Sequence, residues 1–261
     1  MNLSLEGKNA IICGSSQGIG LAIAQELALL GANCILLARN AKKLGIAMNT
    51  LQSSLHQHHS FAVADFSKPD EVRIAIDTIL QHQPIHVLIN NTGGPPSGLI
   101  TDAKEEDFLT FFHQHLVNNH ILVKAVLPGM KKRKFGRIIN IISTSVKIPL
   151  PNLGVSNTIR GAVASWSKTL ANEVGQYNIT VNNILPGYTQ TKRLETLISQ
   201  TAKKKKQTVD VTEQQMMQDI PMKRFGSPTE IATVAAFLAS PAASYINGVS
   251  IPVDGGRTGS L

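Results

Sequence analysis

Little in this chain lends itself to crosslinking, metal capture or membrane spanning. Its two cysteines, Cys13 and Cys34, both sit in short apolar runs. They read as small core residues in a reducing compartment, not as a disulfide. No Cys/His cluster has metal-ligand spacing. The histidine-rich stretch His56-Gln57-His58-His59 reads as the polar end of a helix. No apolar run approaches the roughly 20 residues that cross a bilayer. The N-terminus, MNLSLEGKNAIICG, has neither a basic leader nor a small-residue cleavage pattern. A cytoplasmic protein with no bound metal and no membrane partner is expected. Aromatic residues are scarce, at 5%, and none interleave with the basic clusters as a single-strand nucleic-acid surface requires.

What is present is basic and unevenly placed. The net charge is +8. Residues 1–130 hold 8 Lys and Arg against 10 Asp and Glu, whereas residues 131–261 hold 17 against 7. Two clusters carry the excess: Lys131-Lys132-Arg133-Lys134 with Arg137, and Lys192-Arg193 with Lys203 to Lys206. Without aromatic partners these argue against nucleic acid and for attraction of an anionic cofactor or substrate. The plainer alternative is a solvated helix end and a charged loop.

Hydrophobic residues make up 43% of the 261, enough for a large core. Short Ile/Val/Leu runs alternate with helix-period segments. Strands are expected at Asn9–Cys13, Cys34–Ala38, Phe61–Ala64, Val87–Ile89, Arg137–Ile142, Thr180–Leu185 and Ser250–Val253. Helices are expected at Gly18–Leu30, Ala41–His56, Asp70–Gln81, Lys104–Lys132, Val155–Tyr177 and Pro228–Leu238. The strands mostly lack polar alternation, as strands covered on both faces do. The fold class is therefore α/β: a doubly wound parallel sheet of about seven strands with helices on both faces. No linker-like shift divides residues 1–261, so one domain is expected. Residues 191–220 are polar and basic and read as a helical, lid-like insertion.

The first strand runs into Gly14-Ser15-Ser16-Gln17-Gly18-Ile19-Gly20 and then a helix. Such a turn points backbone N–H groups and the positive end of a helix dipole at an anion. Glycine permits the sharp turn and close backbone approach to a dinucleotide's phosphates. At the end of the second strand, an acidic residue would bind an adenosine ribose and repel a 2′-phosphate. Here the place is neutral and Arg39 follows, which suits a phosphate dianion. NADP(H) is accordingly favoured over NAD(H).

Together these motifs resemble the short-chain dehydrogenase/reductase family over almost the whole chain. The pieces are Gly14-x-x-x-Gly18-Ile19-Gly20, Asp65, Asn90-Asn91-Thr92-Gly93, Ser143, Pro186-Gly187, and Asn247-Gly248 with Val253-Asp254-Gly255-Gly256. The stretch from Lys124 to Met130, continuing through Gly136 to Asn140, looks especially like 3-oxoacyl-acyl-carrier-protein reductases. The resemblance implies a Rossmann-type sheet and cofactor roles for several positions. Asp65 would accept from the adenine amine, with Phe66 beside it. Asn90, Thr92 and Gly93 would border the adenosine ribose. Pro186, Gly187 and Thr191 would hold the nicotinamide end. It also implies a homotetramer built through helices 104–132 and 155–177 and through the C-terminal segment, and a small-molecule or carrier-bound carbonyl substrate. Thr92 stands where the family usually has Ala, and Cys13 where it has Thr.

The family's chemistry uses an Asn, a Ser, a Tyr and a Lys. Only Ser143 matches. Spacing from Ser143 puts the Tyr position at Ser156 and the Lys position at Arg160, and no Tyr-x-x-x-Lys occurs anywhere. The Asn position falls on His115, with Asn118 one helical turn away. A serine hydroxyl is a far weaker acid than a phenol, and Arg does not shuttle a proton as Lys does. Lys147, Tyr188 and His115 are candidate substitutes for the proton donor. Three readings stand open: an NADP(H)-dependent oxidoreductase with an altered donor, a nucleotide-binding sensor or partner subunit without activity, and a different reaction in the same pocket.

Overall fold

β-Branched and aliphatic runs too short for helices pair side by side, and the amphipathic segments between them cover both faces. The computed structural model describes residues 1–260. In chain order the elements are β1 (Asn9–Cys13), α1 (Gly18–Leu29), β2 (Asn33–Ala38), α2 (Ala41–Met48), β3 (Ser60–Val63), α3 (Pro69–His82), β4 (Val87–Asn90) and α4 (Glu105–Phe112). There follow α5 (Asn118–Arg133), β5 (Gly136–Ile141), α6 (Gly154–Val174), β6 (Ile179–Pro186), α7 (Lys192–Lys205), α8 (Val209–Gln218), α9 (Pro228–Ala239) and β7 (Ser250–Val253). All seven strands form one parallel sheet in the order β3-β2-β1-β4-β5-β6-β7.

Successive strand residues feed opposite faces. Ala10, Ile12, Cys34 and Leu36 join the core under α1, α2 and α9. Ile11, Cys13, Ile35 and Leu37 join the core under α3, α5 and α6. That two-sided burial is why the inner strands show no polar alternation. Both thiols are buried and unpaired, and burial pushes each up to about 12. They act as small apolar side chains, as expected. Two-sided burial fails at the sheet edges: Phe61 and Val63 are exposed on β3, and Pro252 is exposed on β7.

Two expected segments come out differently. The helix expected to run to His56 stops at Met48, capped by Asn49. The histidine-rich stretch beyond it is irregular chain serving a strand end: His59 Nδ1 accepts from the Cys34 amide at 3.2 Å, and Gln57 Nε2 donates to the Ala28 carbonyl at 2.7 Å. Among the described residues no group of His, Cys, Asp or Glu is arranged to hold a metal. The segment expected as one helix from Lys104 is broken by a π-turn at His113–Val117 between α4 and α5. Such turns bulge a helix and often mark functional sites. The 191–220 insertion folds as α7 and α8 around a small core of Leu194, Ile198, Met216, Ile220 and Phe225.

Across the middle of the sheet runs a polar row. Asn90, Asn140, Asn183 and Ser250 are in register on β4 to β7. Their side chains bond strand to strand at 2.8, 2.9 and 3.0 Å. Buried amides need such partners, and the row locks the register at the strand ends that carry the site.

Candidate active site

The strand order reverses between β1 and β4, and a crevice opens there beyond the strands' carboxyl ends. Its outer part is a groove of about 820 Å³. The Gly14–Ile19 loop forms one wall, and Arg39, Asp65 and Phe66 lie at the far end. The loop's shape follows from its residues. Gly14 has φ +60° and abuts Asn91: a Cβ added there would lie 2.5 Å from the Asn91 carbonyl. A Cβ on Gly20 would collide with the Gly14 carbonyl, so Gly20 lies behind the loop and lets α1 start against it. The buried Ser15 hydroxyl donates to the Ile12 carbonyl and accepts from the Leu37 amide, fixing the loop to β1 and β2.

The N-terminus of α1 carries no side-chain cap and no acidic residue in its first turn. Its free N–H groups and dipole face the groove. At Gly93 an added Cβ would meet nothing within 4 Å, so the groove floor is open. These features fit a dinucleotide, with the diphosphate over Ser16, Gln17 and Gly18. Arg39 is exposed at the groove's far end beside Asp65. Hydrogen bonds from Ser67 chiefly, with help from Arg39, hold the Asp65 carboxyl below its usual range.

The inner part is a chamber of about 440 Å³. It is bounded by Thr92 and Gly93, by Ser143 just beyond β5, and by Pro186, Gly187 and Tyr188 where β6 ends. Thr191 faces both compartments: it caps α7 through its hydroxyl, and its methyl lies 3.5 Å from where a Gly18 Cβ would be. α6 supplies Ser156 and Arg160, one turn apart and both buried. Arg160 Nε donates to Ser156 Oγ at 3.2 Å, and its Nη1 donates to the Ile142 carbonyl at 2.5 Å. Ser143 Oγ accepts from the Ser145 amide at 3.1 Å, which leaves its own proton free. Burial first, and Arg193 second, push Arg160 down to about 9, so it stays cationic at neutral pH.

Not every expected residue reaches this crevice. Asn90 is turned into the sheet's polar row, and its neighbour Asn91 lines both compartments instead. Alternation along β4 decides this: one residue faces inward and the next clears the strand end. His115 is buried in the π-turn, with Nδ1 2.8 Å from Thr92 Oγ1. Burial, then Arg160 and Arg193, drive it down to about 3. It is neutral at physiological pH and has no proton to give as an acid. Asn118 is committed to the Phe66 carbonyl at 2.6 Å. Lys147 is exposed and borders neither compartment, because the short 3-10 turn at Thr144–Val146 aims it outward. Tyr188 does line the chamber, and its hydroxyl accepts from Arg257 at 3.1 Å.

Two residues that sequence reasoning passed over as site members stand out. Asn91 donates to the Cys13 and Gly14 carbonyls, joining the glycine loop to β4. Arg193, read as part of a surface charge cluster, reaches over Gly94 and donates to the Pro95 carbonyl at 3.2 Å. Its position two residues past the helix cap Thr191 was the available signal.

This arrangement has known counterparts. Residues 14–258 match the family described as Enoyl-(Acyl carrier protein) reductase. The chain is 34% identical over 258 residues to the 3-oxoacyl-[acyl-carrier-protein] reductase FabG of Pseudomonas aeruginosa, covering 97% of this chain and 98% of that one. It is 32% identical over 256 residues to the NADPH-dependent reductase BacG of Bacillus subtilis, covering 97% and 99%. It also superposes on L-sorbose reductase from Gluconobacter frateurii, solved with NADPH and L-sorbose, with a TM-score of 0.94, 32% identity and full coverage of both chains. With its switch-point groove, glycine loop and Ser143 in the matching places, the chain belongs to the short-chain dehydrogenase/reductase family.

Proposed function

We propose that this protein is an NADPH-dependent oxidoreductase that interconverts a carbonyl and an alcohol, with Ser156 and Arg160 standing where the family has Tyr and Lys. The observation that carries the reading is the Ser143, Ser156 and Arg160 cluster facing a chamber continuous with an uncapped phosphate-binding helix end. Ser16, Gln17 and Gly18 hold the diphosphate, Arg39 the 2′-phosphate, Asp65 and Phe66 the adenine, and Thr92, Gly93, Pro186, Gly187 and Thr191 the remainder. Bound there, NADPH supplies a hydride to the carbonyl carbon.

The chain's own residues manage the oxygen. Ser143 and Ser156 donate hydrogen bonds to it, and Ser156 is free to do so because its own oxygen accepts from Arg160 Nε. Negative charge developing on the substrate oxygen is balanced by the Arg160 guanidinium in a largely water-excluded place. Ser156 delivers the proton and recovers one from solvent, with Arg160 holding the transient charge. Lys147 has no part in this, and neutral His115 orients Thr92. α7 and α8 form the lid over the chamber, and the substrate is a small carbonyl compound or a 3-oxoacyl thioester. The weakly buried α4, with Leu109 and Phe112 exposed, supports assembly as a homotetramer.

The test is NADPH oxidation against aldehydes, ketones and 3-oxoacyl thioesters, with Ser156→Ala and the double variant Ser156→Tyr/Arg160→Lys. Turnover that Ser156→Ala lowers and the double variant retains or raises supports the reading. A second reading, nucleotide binding without turnover, is favoured by the exposure of Lys147 and the neutrality of His115. NADPH binding with no oxidation of any carbonyl compound would establish it instead.

A further inference from the structure

The inner chamber holds an imbalance that the reductase reading does not use. Among the described residues three arginines line it, Arg160, Arg193 and Arg257, and no Asp or Glu does. Among the described residues none of the three is in an ion pair. Arg160 is only 7% exposed. A buried guanidinium without an acid is costly, and a second cation beside it raises that cost. Here the second cation comes from another element. A Cβ placed on Gly94 would lie 2.7 Å from Arg160 Nη2 and 2.7 Å from Arg193 Nη2, so two side chains from α6 and α7 meet over one backbone position. Burial pulls the proton affinity of both down, and Arg193 lowers that of Arg160 further.

The donors are also spare. Arg160 spends Nε on Ser156 and Nη1 on the Ile141 and Ile142 carbonyls. Its Nη2 makes no hydrogen bond to a described residue. Arg193 spends only Nη2, on Pro95. Two guanidinium edges thus face the chamber with N–H groups unclaimed, the geometry that takes up a planar carboxylate. Arg160 borders the chamber and not the outer groove, whereas Arg193 stands at the junction and borders both. The dinucleotide's diphosphate has its own place at the glycine loop, so the edges of the pair that face the chamber are left for something else.

We infer that Arg160 and Arg193 form a carboxylate clamp, and that the substrate is an oxo acid whose carbonyl lies within two bonds of its carboxylate. That spacing follows from Arg160 serving both groups: its Nε side supports Ser156 at the carbonyl oxygen, and its Nη2 side meets the carboxylate. Leu150, Leu153 and Leu197 in the chamber wall accept an apolar remainder. The inference rests on the proposed reduction for the carbonyl, and on the arginines alone for the acid. It favours a free acid over a thioester.

Calorimetric binding of malonate to the whole protein, with and without NADP+, tests it independently of turnover. Malonate is expected to bind, and dimethyl malonate to bind at least about tenfold more weakly. Arg193→Gln is expected to weaken malonate about tenfold or more, Arg193→Lys to fall between, and Lys203→Gln on the exposed part of α7 to leave it unchanged. NADPH affinity in the Arg193 variants should shift less than about twofold. Three outcomes each overturn the clamp: no malonate binding to the unaltered protein, equal binding of the diester, or loss of NADPH affinity in Arg193→Gln equal to the loss for malonate. The last would assign the pair to the diphosphate. Malonate binding as expected, with no carbonyl reduced, would sustain the clamp and remove the reductase reading.

Discussion

The outer groove and the inner chamber lie side by side at the same strand ends, yet they are made of different material. The groove is chiefly backbone: a glycine turn, an uncapped helix end and an open floor at Gly93. The chamber is chiefly side chain: three serine hydroxyls, a phenol and three guanidiniums. A site made of main-chain N–H groups survives any substitution that keeps the turn. A site made of side chains changes chemistry at each substitution while the fold stands. On the proposed reading, that contrast lets one chain keep a glycine phosphate loop while Ser156 and Arg160 take over the chemistry of the chamber.

The largest expected effect comes from breaking the backbone side. Gly14→Val forces a branched side chain into φ +60° and into the Asn91 carbonyl. Strain and displacement of the loop should weaken NADPH about a hundredfold or more, read by nicotinamide fluorescence. The chamber should respond in the opposite way. Arg160→Met keeps the volume and removes the charge; turnover should drop about a hundredfold while NADPH affinity stays within about threefold. If both quantities fell together, the two compartments would not be separable.

A smaller effect sharpens the groove itself. Arg39→Ala should weaken NADPH about tenfold and leave NADH unchanged, because only the 2′-phosphate loses its charge-assisted partner. Equal loss for both cofactors would remove Arg39 from that role. The smallest effect concerns stability. His115 is held near 3 in the fold, chiefly by burial, and His86 near 4 for the same reason. Both are neutral when folded and take up a proton when unfolded below about pH 6.5. Their contribution is therefore complete above that pH and is lost as the pH falls toward 3. Each proton contributes a slope of up to about 1.4 kcal/mol per pH unit. Denaturant unfolding of His115→Gln between pH 4 and 7 should show a shallower acid loss than the unaltered chain.

Strands β1 and β7 and the start of α1 lie where their residues place them, since unbroken apolar runs and a glycine turn admit few alternatives. The end of α2 was less legible. Leu51 and Leu55 continue a helical spacing past Met48, yet Gln57 and His59 are drawn to the Ala28 carbonyl and Cys34 amide, and the chain leaves the helix to reach them. The π-turn at His115 has no signature in composition. It arises where α4, resting on the surface, joins α5, which is packed under the sheet. Ser143, Ser156 and Arg160, which spacing along the chain relates to one another, line one chamber. Lys147 was misplaced because sequence distance from Ser143 does not say which way a 3-10 turn points a side chain.

The sequence by itself determined the sheet, the glycine loop, the serine and arginine one turn apart on α6, and the excess of positive charge in the second half. These are local or periodic properties, written in neighbours and in spacings of two, three and four. Only the tertiary structure decided that Asn91 and not Asn90 faces the crevice, that His115 is a neutral support for Thr92, and that Arg193 crosses from α7 to meet Arg160 over Gly94. Each of these depends on elements far apart in the chain being pressed together. Burial and the approach of like charges, which set how such groups behave, exist only once they are.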